Sequence, residues 1–523
     1  MGETRDSRRD AITADQIRGH MRFLAHDVLE GRETGTRGFD VAAAYVAARF
    51  EGMGLDPLES GGYLQEVPLR RAVPFDSIFE VRAGDERLGL EPERDFVVSG
   101  HPTRETYETE AEIAFVGYGV RAPELGHDDY DGADVKGKII AFLDGVPESL
   151  PEPVRGYFQG GTEKWRAAAK LGAVGAISLT TPESEKRVSW EDTASGVKKG
   201  WFGWLDDESD PMPPWAAVAF SASGAEKLVR AGGLPWPEVL AHAQGGGSSR
   251  RASGLRALVR STTKHVSIRS RNVVGILRGR GPSHDQYVVY TAHLDHVGIG
   301  EPVDGDAVYN GAVDNASGVA ALLCIAEAFT RLPTPPARSV VFLASTAEEP
   351  GLFGSDYFVR RGPIPRRQIV AALNIDGATL MVHPLRDVRA MGARNSTLGE
   401  AARSAGKSRG LRIHSDELPL LGSDHFPFAK ACIPALWAIA GQETGRGDLD
   451  GAKRQEEWMK TRLHTPKDDM AQPLDFQAAA DLAAFDFDVG RLIANGQKIP
   501  IWKEETIVSR FLAKRGQAAD CRQ

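Results

Sequence analysis

Cysteine is nearly absent from this chain, with only Cys324, Cys432 and Cys521 among 523 residues. Three thiols so widely scattered build no disulfide framework. Cys324 and Cys432 sit in apolar runs and read as small packed hydrophobes, whereas Cys521 lies in a polar, exposed tail. No apolar stretch reads as long enough to span a bilayer. The opening residues, Met1-Gly-Glu-Thr-Arg-Asp-Ser-Arg-Arg9, contain no signal-peptide hydrophobic region. Long basic runs are missing too. With 63 basic against 72 acidic residues the net charge is -9, which favours solubility and offers nothing to nucleic acid. There is no Gly-x-Ser-x-Gly elbow, so a serine hydrolase has no support.

The apolar fraction of 41% and charged fraction of 26% are those of a globular protein, and the length calls for at least two domains. Thr13-Ala-Asp-Gln16 reads as a capping box opening a helix through Phe23 and Leu24. After a Gly-rich turn at 31–38, Asp40 reads as the N-cap of a second helix with Val41, Ala44, Tyr45 and Ala48 on one face. Short antiparallel strands are expected from about 75 to 98. The character changes over 106–267, which holds six of the nine tryptophans and ends near a Gly-rich linker at 245–249. We read this segment as an insertion, with 1–105 packing on a main domain at 268–500 and a tail at 501–523.

Within the main domain, the apolar runs 287–292, 339–345, 369–375 and 433–440 read as strands, and 317–331 as an amphipathic helix. Such alternation predicts an α/β fold, a mostly parallel sheet with helices on both faces, whose ligands bind beyond the carboxyl ends of the strands.

Histidines and carboxylates return at those ends. Thr291-Ala-His293-Leu-Asp295-His296 is followed by Gly311-Ala-Val-Asp314-Asn-Ala-Ser-Gly318, Glu348-Glu349, Asn374-Ile-Asp376 and Leu463-His464-Thr-Pro-Lys-Asp468. Zinc-type ions take imidazole and carboxylate ligands with a position left for water. A two-metal hydrolytic site needs about five such ligands, one of them bridging. Each has a plain alternative: Asp314 as a helix N-cap, Glu348-Glu349 as solvated acids, and the segment after His464 as a turn. Adjacent acids at the mouth of a buried sheet are costly, however, unless cations neutralise them. Asp295 reads as the partner that orients the His293 ring.

Taken in this order, the motifs resemble the zinc-dependent peptidases of clan MH, family M28, from about 272 to 469. The resemblance implies a phosphorylase/hydrolase-like mixed sheet with a β-rich protease-associated (PA) domain as the insert. It further implies two zinc ions, with His293 and Asp376 on one, Glu349 and His464 on the other, and Asp314 bridging. Glu348 would be the general base, in a zinc metallopeptidase acting on peptides. Most such relatives are aminopeptidases. A carboxypeptidase is the alternative, with Arg446, Lys453 or Arg462 as a carboxylate clamp, and a non-catalytic binding protein is a third reading. Gly422-Ser-Asp424-His425 resembles a family loop beside the active site, which makes Asp424 and His425 candidates for the substrate pocket or its support. Trp201 and Trp204 would either line an apolar pocket beneath a lid or form the insert's own core. A secreted or periplasmic location follows from the resemblance, with the cytoplasm as the alternative. Side-chain preference and oligomeric state stay open.

Overall fold

The computed structural model describes residues 12–58, 62–205, 214–244, 252–377, 384–444 and 450–515. The linker expected at 245–249, Arg446 and Cys521 lie outside the described residues. The chain divides into two compact units. One joins the segment ending at Val67 to the segment beginning at Arg269, and the other spans Pro68–Ile268.

In the first unit the sheet order is Arg412–Asp416, Asp387–Met391, Ala435–Ala440, Ile369–Asn374, Tyr287–His293, Ser339–Ser345 and residues 273–277. The four strands from Ala435–Ala440 to Ser339–Ser345 run parallel to one another. Antiparallel pairing brings in Asp387–Met391 on one side and 273–277 on the other. Every residue of Ser339–Ser345 and of Ile369–Asn374 is buried. Unbroken apolar runs of this kind suit strands covered on both faces, as the sequence predicts. The register pairs His293 with Ser345 and Thr291 with Asn374. Three parallel strands therefore end at nearly the same level.

Helices Ala14–Leu24, Ser317–Thr330 and Phe476–Ala494 pack on one another. The capping box is formed: Thr13 Oγ1 accepts from Gln16 N at 3.3 Å, and Thr13 N donates to Gln16 Oε1 at 3.0 Å. Among the described residues, Ala312–Thr330 alone is long and apolar enough to cross a membrane. That window is 94% buried inside the unit, so it serves as a core helix.

Four expectations need correction. The second helix is Arg37–Gly52, capped by Thr36, whose Oγ1 accepts from Phe39 N at 3.3 Å. Asp40 lies inside its first turn and pairs with Arg271 at 3.0 Å. The earlier start turns the buried face to Phe39, Ala42, Ala43, Val46 and Phe50, leaving Val41 40% exposed. The expected tail includes a helix, Ile507–Arg515, that buries Val508, Phe511 and Leu512, while Lys503 N donates to Asn395 O at 2.7 Å. Cys324 is a free, buried thiol as expected, but Cys432 is disulfide-bonded.

The fourth correction concerns the insert, which begins at Pro68 and not at 106. Early strands supply part of its framework: Phe96–Val98 pairs with Val218–Phe220, and 69–72 pairs with Trp201–Trp204. Its sheet runs from 252–262 through Thr106–Phe115, Ile139–Leu143, Gly175–Leu179 and Val218–Phe220 to Phe96–Val98. Among the described residues five helices of eight or more residues accompany it, from Glu152–Gln159 to Trp236–Gln244, so the unit is mixed α/β.

Candidate metal centre

His293 is the last residue of Tyr287–His293, Glu348 and Glu349 follow Ser339–Ser345, and Asp376 follows Ile369–Asn374. Because these strands are parallel and in register, their carboxyl ends bring residues far apart in sequence to one place. His293 Nδ1 lies 3.1 Å from the carbonyl of Asp295. A carbonyl only accepts, so Nδ1 carries a proton and Nε2 is the atom turned toward the carboxylates. Nε2 stands 3.1 Å from Asp314 Oδ1 and 3.3 Å from Asp376 Oδ1. On the other side of the same carboxylate, His464 Nε2 lies 3.1 Å from Asp314 Oδ2 and 3.1 Å from Glu349 Oε2. The two oxygens of Asp314 thus face different histidines, which is the arrangement a bridging carboxylate needs.

Donor atoms of His293, Asp314 and Asp376 all lie within 4.8 Å of one another, as do those of His293, Glu348 and Glu349. A third such group joins His296 to Asp314, Glu349 and His464. All six residues assigned by motif therefore meet. Nitrogen and oxygen donors at these separations fit zinc-type ions.

The loop bearing Asp314 is held from three sides. Val313 N and Asp314 N donate to the buried carboxylate of Asp468 at 3.0 Å each. Asn315 Nδ2 donates to Ile375 O at 3.0 Å, tying the loop to the strand end that carries Asp376. Arg32, buried beneath, donates to Leu294 O at 2.9 Å, Asn310 O at 2.6 Å and Gly311 O at 3.1 Å. Burial pushes its guanidinium down to about 10, against the pull of Asp314 and Asp468. Gly31 beside it has φ +66, and a Cβ there would meet Tyr309 O at 2.4 Å. Sequence reasoning missed Arg32, whose partners are all backbone carbonyls and leave no pattern of residue types.

Asp295 is in the predicted place but acts through different atoms. The His293 ring is oriented by its backbone carbonyl, not by its carboxylate. The carboxylate instead accepts from Glu348 N at 3.1 Å, Glu349 N at 3.3 Å and Thr34 Oγ1 at 3.0 Å. Asp424 and His425 lie beneath the strand ends and are fully buried. Asp424 accepts from the hydroxyls of Ser345 and Ser355. His425 donates from Nε2 to Pro419 O at 2.7 Å and stacks on Trp437 with ring centroids 5.1 Å apart. Trp437 Nε1 in turn donates to Asp376 O at 3.0 Å. Asp424 thus ties the end of Ser339–Ser345 to Phe353–Arg361, and His425 reaches Asp376 through Trp437. Within the insert, Trp201 stacks on Trp165 with centroids 4.7 Å apart, and Trp204 is buried. These contacts favour the own-core reading of the pair.

Charge is concentrated here. Burial raises Asp314, but hydrogen bonds with His293 and His464 overcome it and hold the carboxyl well below its usual range. Glu349 falls to about 2 because His296 and His464 outweigh burial and the nearby Asp314. Burial acts against protonation of His464, yet its bonds to Asp314 and Glu349 lift it to about 11. Glu348 is pushed up, by burial first and by Glu349 and Asp376 after it. A raised carboxyl is suited to taking and returning a proton.

A shared carboxylate between two imidazole–carboxylate sets, at the ends of parallel strands, defines a candidate two-metal centre of the hydrolytic type. Residues 272–485 match peptidase family M28. Over 205 residues it is 27% identical to Aminopeptidase YwaD of Bacillus subtilis (strain 168), covering 38% of this chain and 39% of the relative. A second relative, the Glutamate carboxypeptidase 2 homolog of Caenorhabditis elegans, is 23% identical over 394 residues, covering 62% of this chain and 48% of its own. The chain thus spans less than half the length of either curated relative. The fold is similar to that of an aminopeptidase from Aneurinibacillus sp. strain AM-1, with a TM-score of 0.53 and 18% identity, covering 94% of this chain and 96% of that one.

Proposed function

We propose that the chain is a two-zinc exopeptidase, an aminopeptidase releasing N-terminal residues from peptides. The observation that carries the reading is the double-faced Asp314, with His293 and Asp376 on one side and Glu349 and His464 on the other. Bound zinc supplies Lewis acidity toward a scissile carbonyl and acidifies water. Glu348 takes the proton of the attacking water on its carboxylate and returns it to the leaving amine. The Asp295 carboxylate fixes the backbone from which Glu348 and Glu349 project.

The wealth of buried carboxylates favours holding a substrate's α-ammonium over its α-carboxylate. Among the described clamp candidates, Arg462 spends a guanidinium nitrogen on Lys467 O at 2.7 Å, and Lys453 lies in the first turn of Gly451–Thr461. The disulfide at Cys432 supports an oxidising location, secreted or periplasmic.

N-blocked and C-blocked dipeptides test the polarity of the reaction: cleavage of the C-blocked member alone is expected, and the reverse pattern would make the protein a carboxypeptidase. Glu348→Gln should bind both metals and lose about 100- to 10,000-fold in kcat. Retained turnover would remove Glu348 from its role. Full metal loading with no peptide cleaved by the wild type would leave a binding protein.

A further inference from the structure

We propose that His296 is a fourth protein ligand of the metal held by Glu349 and His464, an assignment that rests on the two-zinc reading. His296 lies three residues beyond the end of Tyr287–His293, and its ring is buried with only 1% of the residue exposed. Its Nδ1 lies 2.7 Å from Glu349 Oε1 and 3.8 Å from Asp314 Oδ2. His464 Nε2 completes the group at 3.1 Å from Asp314 Oδ2 and 3.1 Å from Glu349 Oε2. Zinc bonds of about 2.0–2.2 Å put neighbouring donors of a tetrahedron about 3.3–3.6 Å apart. Three of the four observed separations fall below that range and one above it, with His296 and His464 facing different oxygens of Glu349. One donor atom from each of the four residues lies within 4.8 Å of the others, so one ion can touch all four after shifts of under about 1 Å.

Two further features separate His296 from a histidine that merely fills space. Its Nε2 is buried without a hydrogen-bond partner among the described residues, so the ring's polar contacts all lie on the Nδ1 side, toward the donors. The loop carrying Asp314 is also shaped around the ring. Gly311 has φ +59, and a Cβ there would come within 2.5 Å of His296 Cγ. Only glycine lets that loop approach so closely.

The consequence is an asymmetric pair. His293, Asp314 and Asp376 give one ion three protein donors, the number that leaves a position open for chemistry. Asp314, Glu349, His464 and His296 give the other four, the number typical of tightly held structural zinc. The second ion should bind first and leave last.

The competing role is orientation, in which Nδ1–H donates to Glu349 and touches no metal. The His296→Asn and His296→Phe variants separate the two, because an asparagine amide restores an N–H donor close to Nδ1 but is a poor zinc ligand. Metal-free protein is titrated with zinc chloride by calorimetry. The wild type should take up two ions, one more tightly. Both variants should weaken the tighter step by more than about 100-fold, beyond what losing an outer-shell partner costs. If His296→Asn keeps both steps unchanged, the ligand assignment is wrong. X-ray absorption on zinc-loaded wild type needs no variant to fold: three imidazoles across two ions are expected, and two would overturn the proposal. A wild type that takes up a single ion would instead overturn the two-zinc reading, a failure the stoichiometry tells apart.

Discussion

Asp295 shows how one residue can serve a site through two chemically different groups. Its carbonyl sets the tautomer of His293, while its carboxylate, buried and raised to about 6 by that burial, collects the amides of Glu348 and Glu349. Asn in its place keeps the carbonyl but leaves one oxygen to serve two amides. For Asp295→Asn we expect zinc affinity to fall by about 10- to 100-fold, the usual cost of disturbing an outer-shell partner. Peptidase activity should fall with it and return in part at high zinc. Unchanged affinity in a zinc titration would show that the amide clamp is dispensable.

Among the elements, helix Phe476–Ala494 illustrates how closely the sheet is covered. Gly490 sits so near Tyr290 that a Cβ would lie 1.7 Å from its Oη and 2.4 Å from Cζ. The Tyr290 hydroxyl donates to Asp486 O at 2.7 Å in the same helix, so the ring cannot simply turn away. Gly490→Ala should cost about 1–3 kcal/mol or more through overpacking. Adding Tyr290→Phe should recover part of it, since the nearest clashing atom is gone. Denaturant midpoints of the single and double variants check this, and an unaffected single variant would mean the helix can shift at little cost.

At the scale of the whole molecule, buried neutral histidines tie stability to pH. His20 and His101 are both held at about 4 chiefly by burial, below the ordinary 6.5. His20 bonds through Nδ1 to the Tyr45 hydroxyl at 2.8 Å, and His101 Nδ1 accepts from Thr103 N at 3.1 Å and Arg104 N at 3.0 Å. The folded chain refuses protons that the unfolded chain accepts. Their contribution is therefore complete above about pH 6.5 and lost progressively as pH falls toward about 4. Melting temperatures should drop across that window, and His101→Gln should flatten the drop even where it lowers the starting value. An identical pH slope in the variant would assign the acid sensitivity to other groups.

Much of this protein was legible in its residues because periodicity and strand-end chemistry are local signals. Apolar runs predicted the parallel strands, and the order His293, Asp314, Glu348-Glu349, Asp376, His464 predicted which side chains would meet. The cap of the second helix was misplaced because Thr36 and Asp40 are both good caps, and the choice depends on which face finds a core. The insert's start was hidden because the pairing of Phe96–Val98 with Val218–Phe220 is long-range. Arg32 and His296 gain their meaning only from groups folded against them, carbonyls in one case and carboxylates in the other. Sequence alone determined the kinds of donor available and the strand ends that carry them, since those follow from residue type and spacing. Tertiary structure alone decided which atom of each residue is used, because hydrogen-bond and metal geometry depend on distances of a few ångströms between segments far apart in the chain.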